Sequence, residues 1–374
     1  MTYKEALLFV GKCMTIGLHP ERISEVRQEI RTGKIVWEQI VQLSSIQFVL
    51  PALFIRLEKA SLLNELPSDL VEYMEYLTNL NRERNLQILD QIRDIGTLLN
   101  SHGIAPIFLK GTALLLLPLY EDIAERMVGD IDFLVEESEM VKAAQLLIDV
   151  GYQPKCKFNP ELIKITKHYP RLTNFNYPAA VEIHRQVIVP PHDKQFKSSE
   201  IIRDKRKITG QCGVYIPSAE HLIIHNTLNV QVNDKAYLWG TIYLRQMYDL
   251  LLLSSHENPQ RVFKNSALFS NQSNAYLAAT SMVFYNPVGI ECNTNLSTKL
   301  FLKRFNFFIL HPGIHEQYQS VIYILIRLLS YITIPLQSIY RKDVRTSIWY
   351  RLSDRTWYKA HVLSYWNHFQ PKTY

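Results

Sequence analysis

The sequence predicts an α+β protein in which a small mixed β-sheet unit lies between N-terminal and C-terminal helical segments. Three observations predict it. Residues 1–102 place apolar side chains at three- and four-residue spacing. Residues 103–216 change to short apolar runs punctuated by Gly and Pro. From residue 217 the helical spacing returns. Segments that alternate strand and helix in this way fit a mixed sheet covered by helices. The expected division is a helical region 1–102, an α/β core 103–216, a second helical region 217–336 and a basic aromatic tail 337–374.

In the first region, residues 37–60 and 70–103 read as helices, the second running for about nine turns until Gly103 stops it. Ser68, just ahead of it, is the expected cap. Residues 104–109 are short and apolar and lead as a strand into a turn at Lys110-Gly111. Residues 112–117 follow as a short buried helix, 128–135 as a second strand, and 139–150 as an amphipathic helix ending at Gly151. Residues 172–177 and 180–187 read as a hairpin turning near Pro178. Residues 221–232 and 237–253 are helical, and the pattern continues to about residue 336. No internal repeat or low-complexity linker interrupts it.

Apolar residues make up 47% of the 374 and charged residues 20%, enough for a core and unlike a disordered chain. The formal net charge is +6, of which +5 falls in residues 337–374. The nearly neutral remainder argues against a protein whose whole surface tracks nucleic acid. Cys13, Cys156, Cys212 and Cys292 are far apart, with neither a Cys-x-x-Cys nor a paired Cys/His spacing, so neither a disulfide framework nor a structural zinc site is expected. The N-terminus lacks a signal-peptide pattern. The most apolar stretch, 321–336, is interrupted by Arg327 and falls short of the ~18 uncharged residues of a spanning helix. A cytoplasmic protein is expected, with peripheral membrane contact through 321–374 as the alternative. The tail interleaves basic residues with Trp349, Tyr350, Trp357, Tyr358, Tyr365 and Trp366. That composition fits packing on the body, base stacking on RNA, or a membrane surface.

The chemistry concentrates in residues 110–184. In a strand, residues i and i+2 share a face, so Asp130 and Asp132 project together while Ile131 and Phe133 face the core. Two such carboxylates repel unless a cation lies between them, and Mg²⁺ favours one or two carboxylates plus phosphate oxygens. Glu182, polar between Val181 and Ile183, is placed to complete a second metal position and to lower the pKa of an attacking hydroxyl or accept its proton. Gly111 and Thr112 follow a strand and open a helix, where backbone N–H groups can cradle phosphates. Lys110 and Arg126 are candidates to neutralise a triphosphate and its leaving pyrophosphate. Each feature also has an ordinary structural reading: a solvated strand face, a turn glycine, surface charges.

Together the runs FLKGTALL, ERMVGDIDFLV, AAQLLIDVGY and VEIH resemble the uncharacterised nucleotidyltransferase family within the DNA polymerase β superfamily. The family's Leu-Lys-Gly falls on Leu109–Gly111, its Arg on Arg126, its Asp-Ile-Asp on 130–132, its Gly-Tyr on Gly151-Tyr152, and its Glu and His on Glu182 and His184. The likeness covers about residues 35–255. It implies a mixed sheet, two metal ions, a nucleoside triphosphate donor and pyrophosphate release. ATP is the expected donor because it is the commonest; the acceptor, whether protein side chain, metabolite or sugar phosphate, peptide or RNA end, stays open. Thr112 replaces the usual Ser, and Arg185 a commonly aromatic position at the pocket rim.

In that setting His184, Arg245 and Asp249 become possible substrate contacts, although Arg245 and Asp249 at i,i+4 could equally pair on a helix surface. His221 and His225 share that spacing and are read as packing or substrate-contacting residues, since no third metal ligand accompanies them. The competing functional reading is a catalytically silent module that keeps the fold and docks a partner.

Overall fold

The computed structural model describes residues 1–156, 166–189, 192–210, 213–266 and 269–353, with Lys359 and Leu363. Trp357, Tyr358, Tyr365 and Trp366 of the tail lie outside the described residues. The architecture is α+β: seven strands form one mixed sheet and helices cover both its faces. The strands are β1 (Ile107–Phe108), β2 (Asp130–Leu134), β3 (Gln153–Pro154), β4 (Leu172–Thr173), β5 (Ala180–His184), β6 (Arg206–Lys207) and β7 (Tyr215–Ile216), in the spatial order β3-β4-β5-β2-β1-β7-β6. The two longest strands, β2 and β5, are central, parallel and fully in register from Asp130↔Ala180 to Leu134↔His184.

Alternation along β2 and β5 divides the sheet into two environments. Ile131, Phe133, Val181 and Ile183 are fully buried under the helices Ser68–Ser101 and Met140–Asp149, against Ile88, Ile92, Ile95 and Leu99. Phe108 packs edge-on to Phe133 at 5.8 Å within this layer. The opposite face begins with Asp130 and Asp132 and ends in Leu134, which joins the larger core. That core also takes side chains from the N-terminal helices and from the helices after residue 217, so both helical segments meet the acidic side of the sheet.

Several local expectations shift. Pro67, not Ser68, takes the cap position of the long helix, and no side-chain cap forms. Phe48, at φ 56°, separates the helices Trp37–Ile46 and Leu50–Lys59, which the periodicity runs together. The 104–109 strand contracts to Ile107–Phe108, while β4 and β5 do pair antiparallel. Strands β6 and β7 fall in a stretch read without strands. They are two residues long, and Arg206 and Lys207 are exposed, so no period-2 burial marks them.

The largest departure is at the C-terminal end. The 321–336 apolar stretch belongs to a 29-residue helix, Pro312–Tyr340, that continues through Pro335 and has no buried residue. Its length and apolar composition would suffice to cross a membrane, a test that core helices of soluble proteins also pass. A second helix, Lys342–Ser353, follows it, and Trp349 there is exposed, not packed on the body.

Candidate active site

The register of β2 and β5 builds the acidic face. Asp132 and Glu182 are direct partners across the parallel pair, Asp130 lies two residues before Asp132, and His184 two residues after Glu182. All four side chains therefore share a face. Asp132 and His184 are almost fully buried, whereas Glu182 and Asp130 keep partial access to solvent. His184 Nε2 lies 2.7 Å from Asp132 Oδ1 and 3.6 Å from Glu182 Oε2. One donor atom from each of Asp132, Glu182 and His184 falls within 4.8 Å of the others, a spacing able to hold a metal ion.

Lys110 enters from the end of β1. It takes a left-handed conformation, φ 50°, one that costs a side-chain-bearing residue energy. The turn strain thus sits on Lys110 and not on Gly111. Its Nζ donates to Asp132 Oδ1 at 2.6 Å. Burial raises the proton affinity of Asp132, but Lys110 and His184 outweigh it and hold the carboxyl well below its usual range. Asp130 moves the other way: burial, then the charges of Asp132 and Glu182, push it up. Glu182 is lowered, chiefly by its interaction with His184.

Gly111 serves a close approach. A Cβ there would meet the Arg126 guanidinium at 3.1 Å and the Val128 side chain at 3.3 Å. Arg126 is buried and forms an ion pair at 2.8 Å with Asp249, whose other oxygen accepts from Tyr120 Oη at 2.5 Å. Asp249 is therefore the holder of Arg126 and not a surface partner of Arg245, which overturns the i,i+4 pairing. Arg245 instead donates to the Met127 carbonyl at 2.8 Å and lies 4.8 Å from the Phe48 ring. Its buried Nε has no hydrogen-bond partner among the described residues.

Most of these groups line one narrow cleft of about 80 Å³. Lys110, Gly111, Arg126, Asp130, Asp132, Arg245 and Asp249 line it, together with His225, Asn226 and Asn229. Glu182 and His184 stand beside the cleft and not in its lining, and Thr112 and Arg185 also sit differently. The Thr112 hydroxyl is buried and donates to the Asp130 carbonyl at 3.3 Å, which ties the short helix Lys110–Leu115 to β2. Arg185 is held by Glu137 at 2.8 Å and by the Thr166 carbonyl, outside the cavity lining. His225 reaches the cavity, His221 packs beside Phe196, and no third donor joins them among the described residues.

Sequence reasoning missed His168, Arg171 and Arg84. His168 Nε2 lies 4.0 Å from Glu182 and Arg171 3.9 Å from Asp130. Arg84, on the long helix, donates to the carbonyls of Val128, Gly129 and Pro178 and so joins the entries to β2 and β5. No local motif marks any of the three.

A central parallel strand pair carrying three carboxylates on one face beside a cleft that Lys110, Arg126 and Arg245 enter, within a mixed sheet, is a nucleotidyltransferase-type arrangement. The chain matches the uncharacterised nucleotidyltransferase family over residues 33–278 and belongs to that family. A comparison with curated proteins gives no match.

Proposed function

We propose that the chain is a divalent-metal-dependent nucleotidyltransferase. In this reading it moves an NMP group from a nucleoside triphosphate, with ATP the expected donor, to an acceptor hydroxyl and releases pyrophosphate. The observation that carries the reading is the in-register pair Asp132–Glu182 with Asp130 on the same face, where Asp130 and Asp132 also line the cleft. The residues fit a divalent cation: Asp132 and Glu182 are direct cross-strand partners with ligand oxygens within 4.8 Å of each other, and Asp130 is crowded by like charge that a cation would relieve.

Asp130 and Asp132 would hold two Mg²⁺ ions between them, with Glu182 completing the position nearer the acceptor. Bound there, the ions would lower the pKa of the acceptor hydroxyl and offset charge on the departing pyrophosphate. Glu182 has its proton affinity lowered by His184, which suits a ligand better than a general base. His184 orients Asp132 from its buried position, as an outer-shell imidazole does.

On the donor side, Lys110 and Arg245 supply positive charge to the phosphates. Arg245 is the better placed of the two arginines, because Arg126 is already neutralised by Asp249. Arg126 would act as the wall against which the phosphates lie.

The test is incubation with each of the four nucleoside triphosphates, labelled at the α-phosphate and in parallel at the γ-phosphate, with Mg²⁺ and fractionated cell extract. The reading predicts label transferred to an acceptor with stoichiometric pyrophosphate, abolished in Asp130→Asn/Asp132→Asn. Transfer of a γ-label instead, or α-label transfer that survives the double substitution, would contradict it.

A further inference from the structure

The helix Pro312–Tyr340 is built in two parts. Its first two turns are fastened to the body: His315 Nε2 lies 2.8 Å from the Trp239 carbonyl, Tyr318 Oη donates to the Leu238 carbonyl at 2.9 Å, and Gln319 donates to Thr241 Oγ1 at 2.9 Å. The ring of His315 also stacks on Phe308 at 4.4 Å. Beyond Gln319 the helix leaves the body, and its chemistry changes.

Val321, Leu325, Leu328, Leu329, Ile332, Leu336 and Ile339 follow a 3.6-residue period, and each is at least 47% exposed. At 1.5 Å per residue this stripe is about 27 Å long. From Gln317 to Tyr340 the only charged residue is Arg327. It falls on the far side of the helix with Tyr323, Ser330 and Gln337, and its guanidinium donates to Tyr323 Oη at 2.6 Å, so it does not interrupt the stripe. The adjoining residues 341–353 contain Arg341, Lys342, Arg345 and Arg351 against Asp343 alone, a net +3. Tyr331, Tyr340 and Trp349 are exposed along the same region.

We propose that this face is a membrane-surface device: the stripe from Val321 to Ile339 lies in the interface of a bilayer with anionic headgroups, and the basic residues 341–351 contact those headgroups. A continuous apolar stripe removes about 25 cal/mol per Å² from water when it enters lipid. The net-basic flank favours a negatively charged surface, each basic residue contributing about fivefold in affinity. Tyrosine and tryptophan beside the stripe suit the headgroup boundary. Arg327 lies on the side away from the stripe, a side it shares with Ile326 and Ile334 as well as Tyr323, Ser330 and Gln337, and a charge there favours a helix in the interface over one that spans. Because the helix root is bonded to residues 238–241, just before the helix Leu244–Leu253 that supplies Arg245, the device would hold the cavity at a membrane surface.

The test uses the full chain and sized vesicles of phosphatidylcholine, with and without 30% phosphatidylglycerol, in a sedimentation assay. Wild type is expected to sediment with the anionic vesicles and to be released by salt. Lys342→Gln/Arg345→Gln should weaken binding by about tenfold or more. Leu328→Glu/Ile332→Glu should abolish it while circular dichroism and melting temperature stay unchanged, since both side chains are exposed. Wild type that ignores both vesicle types overturns the proposal. So does a concentration-dependent dimer lost in the stripe variant without vesicle binding, which would make a second copy the occupant. Retention in cell membranes after carbonate extraction would show a spanning helix and overturn the surface placement.

Discussion

Asp132 and Glu182 stand directly opposite each other on two parallel strands, and a single atom, His184 Nε2, lies within 3.6 Å of both carboxylates. The relationship is set by backbone register. Slipping β5 by one residue would present Val181 or Ile183 to Asp132 and turn Glu182 into the apolar layer beneath Ile92 and Ile95. The packing of that layer therefore fixes the chemistry on the other face.

His184→Gln should separate orientation from ligation. Losing the imidazole that steadies Asp132 is expected to weaken Mn²⁺ or Mg²⁺ binding by roughly 10–100-fold, the usual cost of an outer-shell partner. Metal titration followed by calorimetry or Mn²⁺ paramagnetic resonance checks it. Unchanged metal affinity in a folded variant would remove His184 from the site.

The two cavity arginines should respond differently to the same substitution. Arg126→Met leaves Asp249 buried without its ion-pair partner, which costs about 3–5 kcal/mol of stability. Arg245→Met removes a cation that no carboxylate among the described residues holds; it forfeits one hydrogen bond to the Met127 carbonyl and should destabilise less than Arg126→Met, by about 1–3 kcal/mol. It should also weaken triphosphate binding by roughly 10–100-fold, the worth of one charge-assisted hydrogen bond. Thermal denaturation and nucleotide titration of both variants make the comparison.

Gly111→Ala tests the close approach. The added methyl would press on the Arg126 guanidinium at 3.1 Å and on Val128 at 3.3 Å. Overpacking of this kind costs about 1–3 kcal/mol. Urea denaturation should show that loss, and nucleotide affinity should fall with it as Arg126 shifts.

His225 gives the pH dependence. Burial first, then the nearby positive charges of Lys110, His184 and Lys167, lower its imidazole to about 3. The folded state keeps it neutral, while the unfolded chain, with the ordinary value near 6.5, takes up a proton below that pH. Stability contributed by His225 is complete above about pH 6.5 and is lost as pH falls towards 3, at about 1.4 kcal/mol per unit. Urea titrations at pH 7, 6 and 5 should show a shallower acid loss for His225→Gln than for wild type.

The acidic face was legible in the sequence because its information is local. Asp130-Ile131-Asp132 and Val181-Glu182-Ile183-His184 each state by alternation which side chains face the core. Gly111 was legible as a special position, but its reason was not, because the guanidinium it admits comes from fifteen residues away. Lys110 carries the positive φ that a turn glycine would be expected to take. The roles of Asp249 and Arg245 depend on how the helix Leu244–Leu253 docks over the cavity, and no i,i+4 rule contains that. His168, Arg171 and Arg84 reach the site from segments with no motif of their own. The apolar stretch 321–336 reads as interrupted at Arg327, whereas Arg327 turns to the side away from the stripe and the helix Pro312–Tyr340 runs on through Pro335.

The central claim is that the carboxylates of β2 and β5 bind a metal–nucleotide complex. The most direct measurement is calorimetric titration of each nucleoside triphosphate, with Mg²⁺ and with chelator, into wild type and Asp130→Asn/Asp132→Asn. The account predicts metal-dependent binding of at least one triphosphate by wild type and its loss in the folded double variant. Binding that persists without metal or survives both substitutions, or no binding of any triphosphate by folded wild type, would contradict it.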